Sequence, residues 1–198
     1  MKALIAAAIA MVFVVTPPAH AGPHEPPPDS DVVYPLPVFV PNAVHWSPQF
    51  PFPYDRMRGR LTQADIGAGG ELCQWFEVQY STLSRQIDRV QNNRVRADNN
   101  NPDHPADLTE DQVNIVVANI NQTLDYLSPR VNALTQVQDD FGDTAFPLYK
   151  GDAFFGLWQQ LANVSAGISS RQPVWFTGPS VQRAKKWGTE ITRSHVCD

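Results

Sequence analysis

Charge is the first thing this chain has little of. Asp, Glu, Lys and Arg make up 18% of its 198 residues, and the net charge is −5. A nucleic-acid binder needs a concentrated basic surface to neutralise phosphates. Here 15 Lys and Arg are scattered along the sequence, so no nucleic-acid partner is expected. Catalytic signatures are missing too. There is no G-x-S-x-G elbow, and Gly167-Ile-Ser-Ser170 lacks the second glycine. No Ser is followed three residues later by Lys, and no H-E-x-x-H or C-x-x-C occurs. Gly67-Ala-Gly-Gly70 has no strand before it and no Lys after it, so it reads as a flexible approach to a helix rather than a phosphate loop. These absences nominate no catalytic residue, no metal ligand and no cofactor.

Long apolar runs are equally scarce. Ala3–Val15 is one, 13 residues long. At 1.5 Å per residue it would reach about 20 Å, short of the ~30 Å hydrocarbon core of a bilayer. Lys2 precedes it, Thr16-Pro17-Pro18 breaks it, and Ala19-His20-Ala21 is a small-x-small cleavage pattern before Gly22. That order is a secretory signal, so residues 1–21 are expected to be removed. The mature chain would carry −6, since only Lys2 is lost, and would contain no membrane span. The expected location is secreted, extracellular or in a cell envelope of bacterial type.

Cysteine is limited to Cys73 and Cys197. Two cysteines in an exported chain read as one disulfide. Histidines fall at 24, 45, 104 and 195 in the mature chain, none paired at helical spacing. His195 could ligate a haem or a metal, but a helix-terminal or inner position suits it better. Asp98-Asn-Asn-Asn-Pro102-Asp103 resembles a calcium loop only superficially, because Pro102 and Asp103 occupy the fifth position and the glycine position.

What the chain has in abundance is proline, 18 residues. Ten of these lie within 22–60, where neither helix nor central strand tolerates them. Residues 22–31 are polar and suit a disordered or polyproline II stretch. Val32–Tyr54 differs, because it carries Val33, Leu36, Phe39, Trp46 and other large apolar residues between its prolines. It is expected to run extended along an apolar groove of the folded part, the alternative being a free ligand for a partner.

From residue 70 onward the period becomes helical. Leu72, Phe76, Tyr80, Leu83, Ile87, Val90 and Arg94 share one face, predicting a helix over about 70–97. Thr109-Glu-Asp-Gln112 is a capping box. Val113, Val117, Ile120, Leu124, Leu127, Val131 and Leu134 then form a heptad-like seam, expected to pass a kink at Pro129 and end at Phe141-Gly142. A third helix is predicted over about 152–170. A fourth is predicted over about 179–195, with Pro179 in its first turn and Val181, Ala184, Trp187, Ile191 and His195 facing inward. No strand pattern is long enough to build a sheet.

The expected fold is therefore all-α: an antiparallel, up-down-up-down four-helix bundle over 61–198, preceded by a Pro-rich extended arm over 22–60. Such a bundle places Cys73 and Cys197 at the same end. The leading functional expectation is a secreted or envelope-associated, non-enzymatic binding or interaction protein for an unknown protein partner. Trp46, Trp75, Trp158, Trp175 and Trp187, with Phe76, Phe154, Phe155 and Phe176, are many large rings for so small a bundle and raise the alternative of a hydrophobic ligand, a lipid or haem, carried in an interhelical cavity. An enzyme of unknown type ranks third.

Overall fold

The extended arm expected over 22–60 gives way early to a 3-10 helix, Tyr54–Arg60, and Thr62 then opens the first α-helix. Its hydroxyl accepts the Asp65 N–H at 3.2 Å, and the Asp65 carboxylate accepts the Thr62 N–H at 2.8 Å. This reciprocal box starts α1, Gln63–Trp75. A five-residue π-helical segment, Phe76–Tyr80, leads without a break into α2, Ser81–Asp98. The computed structural model describes residues 33–43, 46–98, 108–138 and 142–198, all within one compact unit, Val32–Asp198. The signal segment 1–21, the polar stretch 22–31, His24, His45, His104 and the Asn-rich loop lie outside the described residues, apart from Asp98.

The first helix thus begins earlier than its apolar period suggested, and the Gly67–Gly70 string lies inside it. The reason is tertiary. A Cβ on Gly69 would come within 2.8 Å of the Trp46 ring, and one on Gly70 within 3.2 Å of Trp46 Cβ. The glycines let an indole lie directly on the helix backbone, and packing offsets their poor helix propensity.

The Thr109–Gln112 capping box forms as expected, and α3 runs over Glu110–Ala133, continuing through Pro129. It ends well before Phe141-Gly142. Asp65 explains the early stop: its carboxylate accepts the Thr135 N–H at 2.6 Å and the Thr135 hydroxyl at 2.9 Å. Those bonds hold the chain extended after Leu134 and displace the next helical turn. A small hairpin follows, also unforeseen, in which β1, Val137–Gln138, pairs antiparallel with β2, Thr144–Ala145.

Helix α4 spans Gly151–Ser169 and α5 spans Val174–Ser194. The start of α5 is five residues earlier than predicted. Pro173 occupies the N-cap position, its carbonyl accepting the N–H groups of Phe176 and Thr177, so Pro179 lies inside the helix. His195 also departs from expectation. It caps α5 with a left-handed backbone, φ 56°, and its side chain points outward to Asp198.

The described chain is mostly helical. The α1–α2 rod packs on α3 and α5, and α4 packs on α3 and α5. Between them Leu72, Trp75, Leu83, Ile120, Leu127, Phe154, Leu157 and Ile191 are fully buried. The α3 stripe is centred on Val116, Ile120, Thr123, Leu127 and Val131, leaving Val113, Val117 and Leu124 half-buried. That helix has neighbours on more than one side, so its buried face is wider than an apolar seam and includes polar groups. Cys73 and Cys197 are bonded, their Cα atoms 5.1 Å apart, closing a sequence separation of 124.

Candidate functional site

Residues 33–43 lie along the groove between the α1–α2 rod and α3. From 33 to 39 every third residue turns inward: Val33 is buried, and Leu36 and Phe39 are half-buried and packed on the core. Tyr34, Val38 and Val40 between them are exposed, Val38 and Val40 by more than 70%. A three-residue period is that of polyproline II. Such a strand makes no internal hydrogen bonds, so its carbonyls need partners from elsewhere.

Amide side chains supply them. Gln86 Nε2 donates to the Tyr34 carbonyl at 3.0 Å, and Gln79 Nε2 donates to the Pro37 carbonyl at 2.7 Å. Across the groove, Asn119 Nδ2 donates to the Tyr34 carbonyl at 3.1 Å while Asn119 Oδ1 accepts the Leu36 N–H at 2.9 Å. Gln122 Nε2 reaches the Pro37 carbonyl at 3.0 Å. Further along, Gln74 both accepts the Asn42 N–H at 2.9 Å and donates to the Asn42 carbonyl at 3.2 Å. Asn119 also donates to Gln86 Oε1 at 2.8 Å, so the two walls of the groove are joined beneath the arm.

The registers of arm and helix agree. Tyr34 to Pro37 is three residues, about 9 Å of polyproline II. Gln86 to Gln79 is seven residues, about 10 Å of helix. The arm therefore runs antiparallel to the α1–α2 rod, and the two periods stay in step. Gln79 belongs to the π segment, which carries one residue more per turn than an α-helix; such segments recur at functional positions. The third residue of the series, Asn93, lies seven beyond Gln86 and accepts the Leu108 N–H at 3.0 Å.

Phe39 enters an aromatic and charged corner. Its ring meets Tyr126 edge-on, with centroids 5.0 Å apart. The Arg130 guanidinium lies 3.5 Å from the Tyr126 ring centroid and pairs with Glu71 at 2.6 Å. Burial pushes the Tyr126 phenol up to about 12, the nearby Arg130 pulling down and Glu71 pushing up. It thus remains a neutral donor, bonded to the Glu71 carbonyl at 3.1 Å.

The arm's second half is fastened to the C-terminal turn. Trp46 Nε1 donates to the Val196 carbonyl at 3.0 Å and Gln49 Nε2 to the His195 carbonyl at 2.6 Å. These carbonyls precede Cys197, so the disulfide holds the turn on which the arm is pinned.

The sequence places the aliphatic arm residues correctly but describes the groove as apolar, and its principal contacts are polar. Apolar spacing does not reveal Gln79, Gln86 and Asn93; the signal for them is their own seven-residue spacing along the rod.

Open clefts, two of which bear on the site, also indent the surface of the described residues. One, of about 390 Å³, lies beside the disulfide and is lined by Phe76, Glu77, Tyr80, Ser84, His195 and Asp198 among others. His195 Nδ1 lies 2.6 Å from Asp198 Oδ2 there. The other lies between α4 and α5, around Asn163, Gly167, Phe176 and Arg183. Neither is lined by Leu124 or Leu127, which flank the Pro129 turn of α3; Leu127 is fully buried. Among the described residues, no group of three or more His, Cys, Asp or Glu is placed to hold a metal ion. No described helix is long and apolar enough to cross a membrane. Compared with family models, curated proteins and solved structures, the chain matches none.

Proposed function

We propose that this chain is an exported, non-enzymatic interaction protein that meets a protein partner on the face where the arm lies. In this reading the helices form an antiparallel, up-down-up-down four-helix bundle whose role is to present that face. One observation carries it: the arm is held by its backbone, while Tyr34, Val38 and Val40 are turned to solvent. Large apolar side chains turned to solvent close together on one fixed segment suit a contact site. The Cys73–Cys197 bond supports an oxidising compartment. The clefts give no support to a carrier of lipid or haem, because neither opens into the interhelical core position at Leu127.

The test is a photo-reactive amino acid at Val40, with Gln182 on the exposed side of α5 as the control. The expected result, in secreting cells, is a discrete protein adduct from position 40, absent from position 182 and lost when Val38→Asp is added. Hydrophobic-dye or haem uptake by the purified protein, with no adduct at 40, would overturn the reading in favour of the carrier.

A further inference from the structure

The contacts between helices and arm are addressed to the main chain. The hydrogen bonds of Gln74, Gln79, Gln86, Asn119 and Gln122 to residues 33–43 end on the carbonyls of Tyr34, Leu36, Pro37 and Asn42 or on the N–H of Leu36 and Asn42. Proline satisfies such a site well, since it contributes a carbonyl and has no N–H to strand. Side-chain identity enters at the inward positions, filled by Val33, Leu36 and Phe39. The groove thus reads a conformation and a period rather than a particular sequence.

We propose that this groove is a binding site for extended, proline-bearing peptide segments supplied in trans, and that residues 33–43 are its tethered occupant. The ligand class follows from the geometry. It is an uncharged polyproline II segment with apolar residues at every third position, entering antiparallel to the α1–α2 rod. Nothing in these contacts requires the occupant to be covalently attached. The tether adds an effective concentration, typically of millimolar order for a short linker, which an incoming segment must exceed by its own affinity or by contacts elsewhere on the partner. The arm then acts as a placeholder that keeps the buried amides of Gln79, Gln86 and Asn119 bonded until exchange. The inference rests on the interaction-protein reading and adds an exchange step to it, in which a partner first met on the arm's outer face supplies the segment that replaces residues 33–43.

The experiment replaces Val44-His45 in the full chain with a protease recognition sequence, cuts after folding and dilutes the protein so that the N-terminal piece departs. The probe is a fluorescein-labelled peptide, Val-Val-Tyr-Pro-Leu-Pro-Val-Phe-Val-Pro-Asn-Ala, matching residues 32–43. The proposal expects saturable binding, weakened several-fold by Gln86→Ala or Asn119→Ala, and no saturable binding of a scrambled peptide that breaks the three-residue period. Retained helical circular dichroism with no saturable binding up to millimolar peptide would overturn it, as would equal binding of the scrambled peptide. If cutting unfolds the protein, the uncut chain serves instead. A spin-labelled copy of the peptide in excess should then broaden the side-chain amide signals of Gln86 and Asn119, and unchanged signals would overturn the proposal. Persistence of the adduct at Val40 would confine that failure to the peptide mode; its absence as well would remove the interaction-protein reading too.

Discussion

The helix–helix contacts and the arm–helix contact are built from opposite materials. Between helices the buried surface is mainly aliphatic and aromatic, with Leu72, Trp75, Leu83, Leu127, Phe154 and Ile191 fully enclosed. Beneath the arm it is amide, with Gln79, Gln86 and Asn119 buried and bonded to main-chain atoms. The difference follows from how each segment treats its own backbone. A helix satisfies its peptide groups internally and can present a dry face. A polyproline II strand satisfies none of them, so the surface that receives it must supply donors. A dry groove would have left the Tyr34 and Pro37 carbonyls without partners.

That contrast can be broken at graded cost. Cutting the Cys73–Cys197 bridge by a double substitution to serine should lower unfolding stability by about 2–5 kcal/mol. It should also free the second half of the arm, because Trp46 and Gln49 are pinned to carbonyls beside Cys197. Denaturant melts combined with limited proteolysis near residues 46–54 would read both effects. On the dry side, Leu127→Ala should cost about 2–5 kcal/mol, the usual penalty for a deleted core leucine and its void. It should leave the arm docked, which the same proteolysis would report.

Asp65 gives the pH dependence. Burial alone would raise its pKa, but hydrogen bonds from the Thr135 N–H, the Thr62 hydroxyl, the Thr62 N–H and the Thr135 hydroxyl outweigh that, and the net shift is downward. A carboxyl with a lowered folded pKa contributes stability that is fully present above its unfolded value, about 4. That contribution is lost as pH falls through the folded value. Wild type should therefore lose stability on acidification below about pH 4, and Asp65→Asn should flatten that part of the profile. At neutral pH Asp65→Asn should cost about 1–3 kcal/mol, because buried donors lose their acceptor. Melting temperatures measured across pH for both proteins would decide it.

On the wet side, Gln86→Ala should cost about 0.5–1.5 kcal/mol for its bond to Tyr34, and it also strands an Asn119 donor. The loss should show mainly as faster proteolysis of the arm, with the global melt shifted little. Smallest of all, Val38→Asp should change stability by no more than about 0.5 kcal/mol, since its side chain is exposed and bonded to nothing in the groove.

Much of the helical layout was legible because it is written in apolar spacing and capping chemistry. The Thr109–Gln112 box, the span of α4 and the partnership of Cys73 with Cys197 are local or pairwise signals. The errors fall where a distant residue overrules a local one. Trp46 makes Gly69 and Gly70 helical, and Asp65 ends α3 by capturing Thr135. The wet groove was illegible for a related reason. Gln79, Gln86 and Asn119 are ordinary surface residues by type, and only the carbonyls of the arm make their burial favourable.

Hydrogen exchange of the arm amides tests the account most directly. The Leu36 N–H is bonded to Asn119 Oδ1 and the Asn42 N–H to Gln74 Oε1. Both should exchange well below the rate of the same residues in a free peptide, and Asn119→Ala should release Leu36 while the amides of α4 stay protected. Exchange of Leu36 and Asn42 at the free-peptide rate in the intact protein would contradict a docked arm.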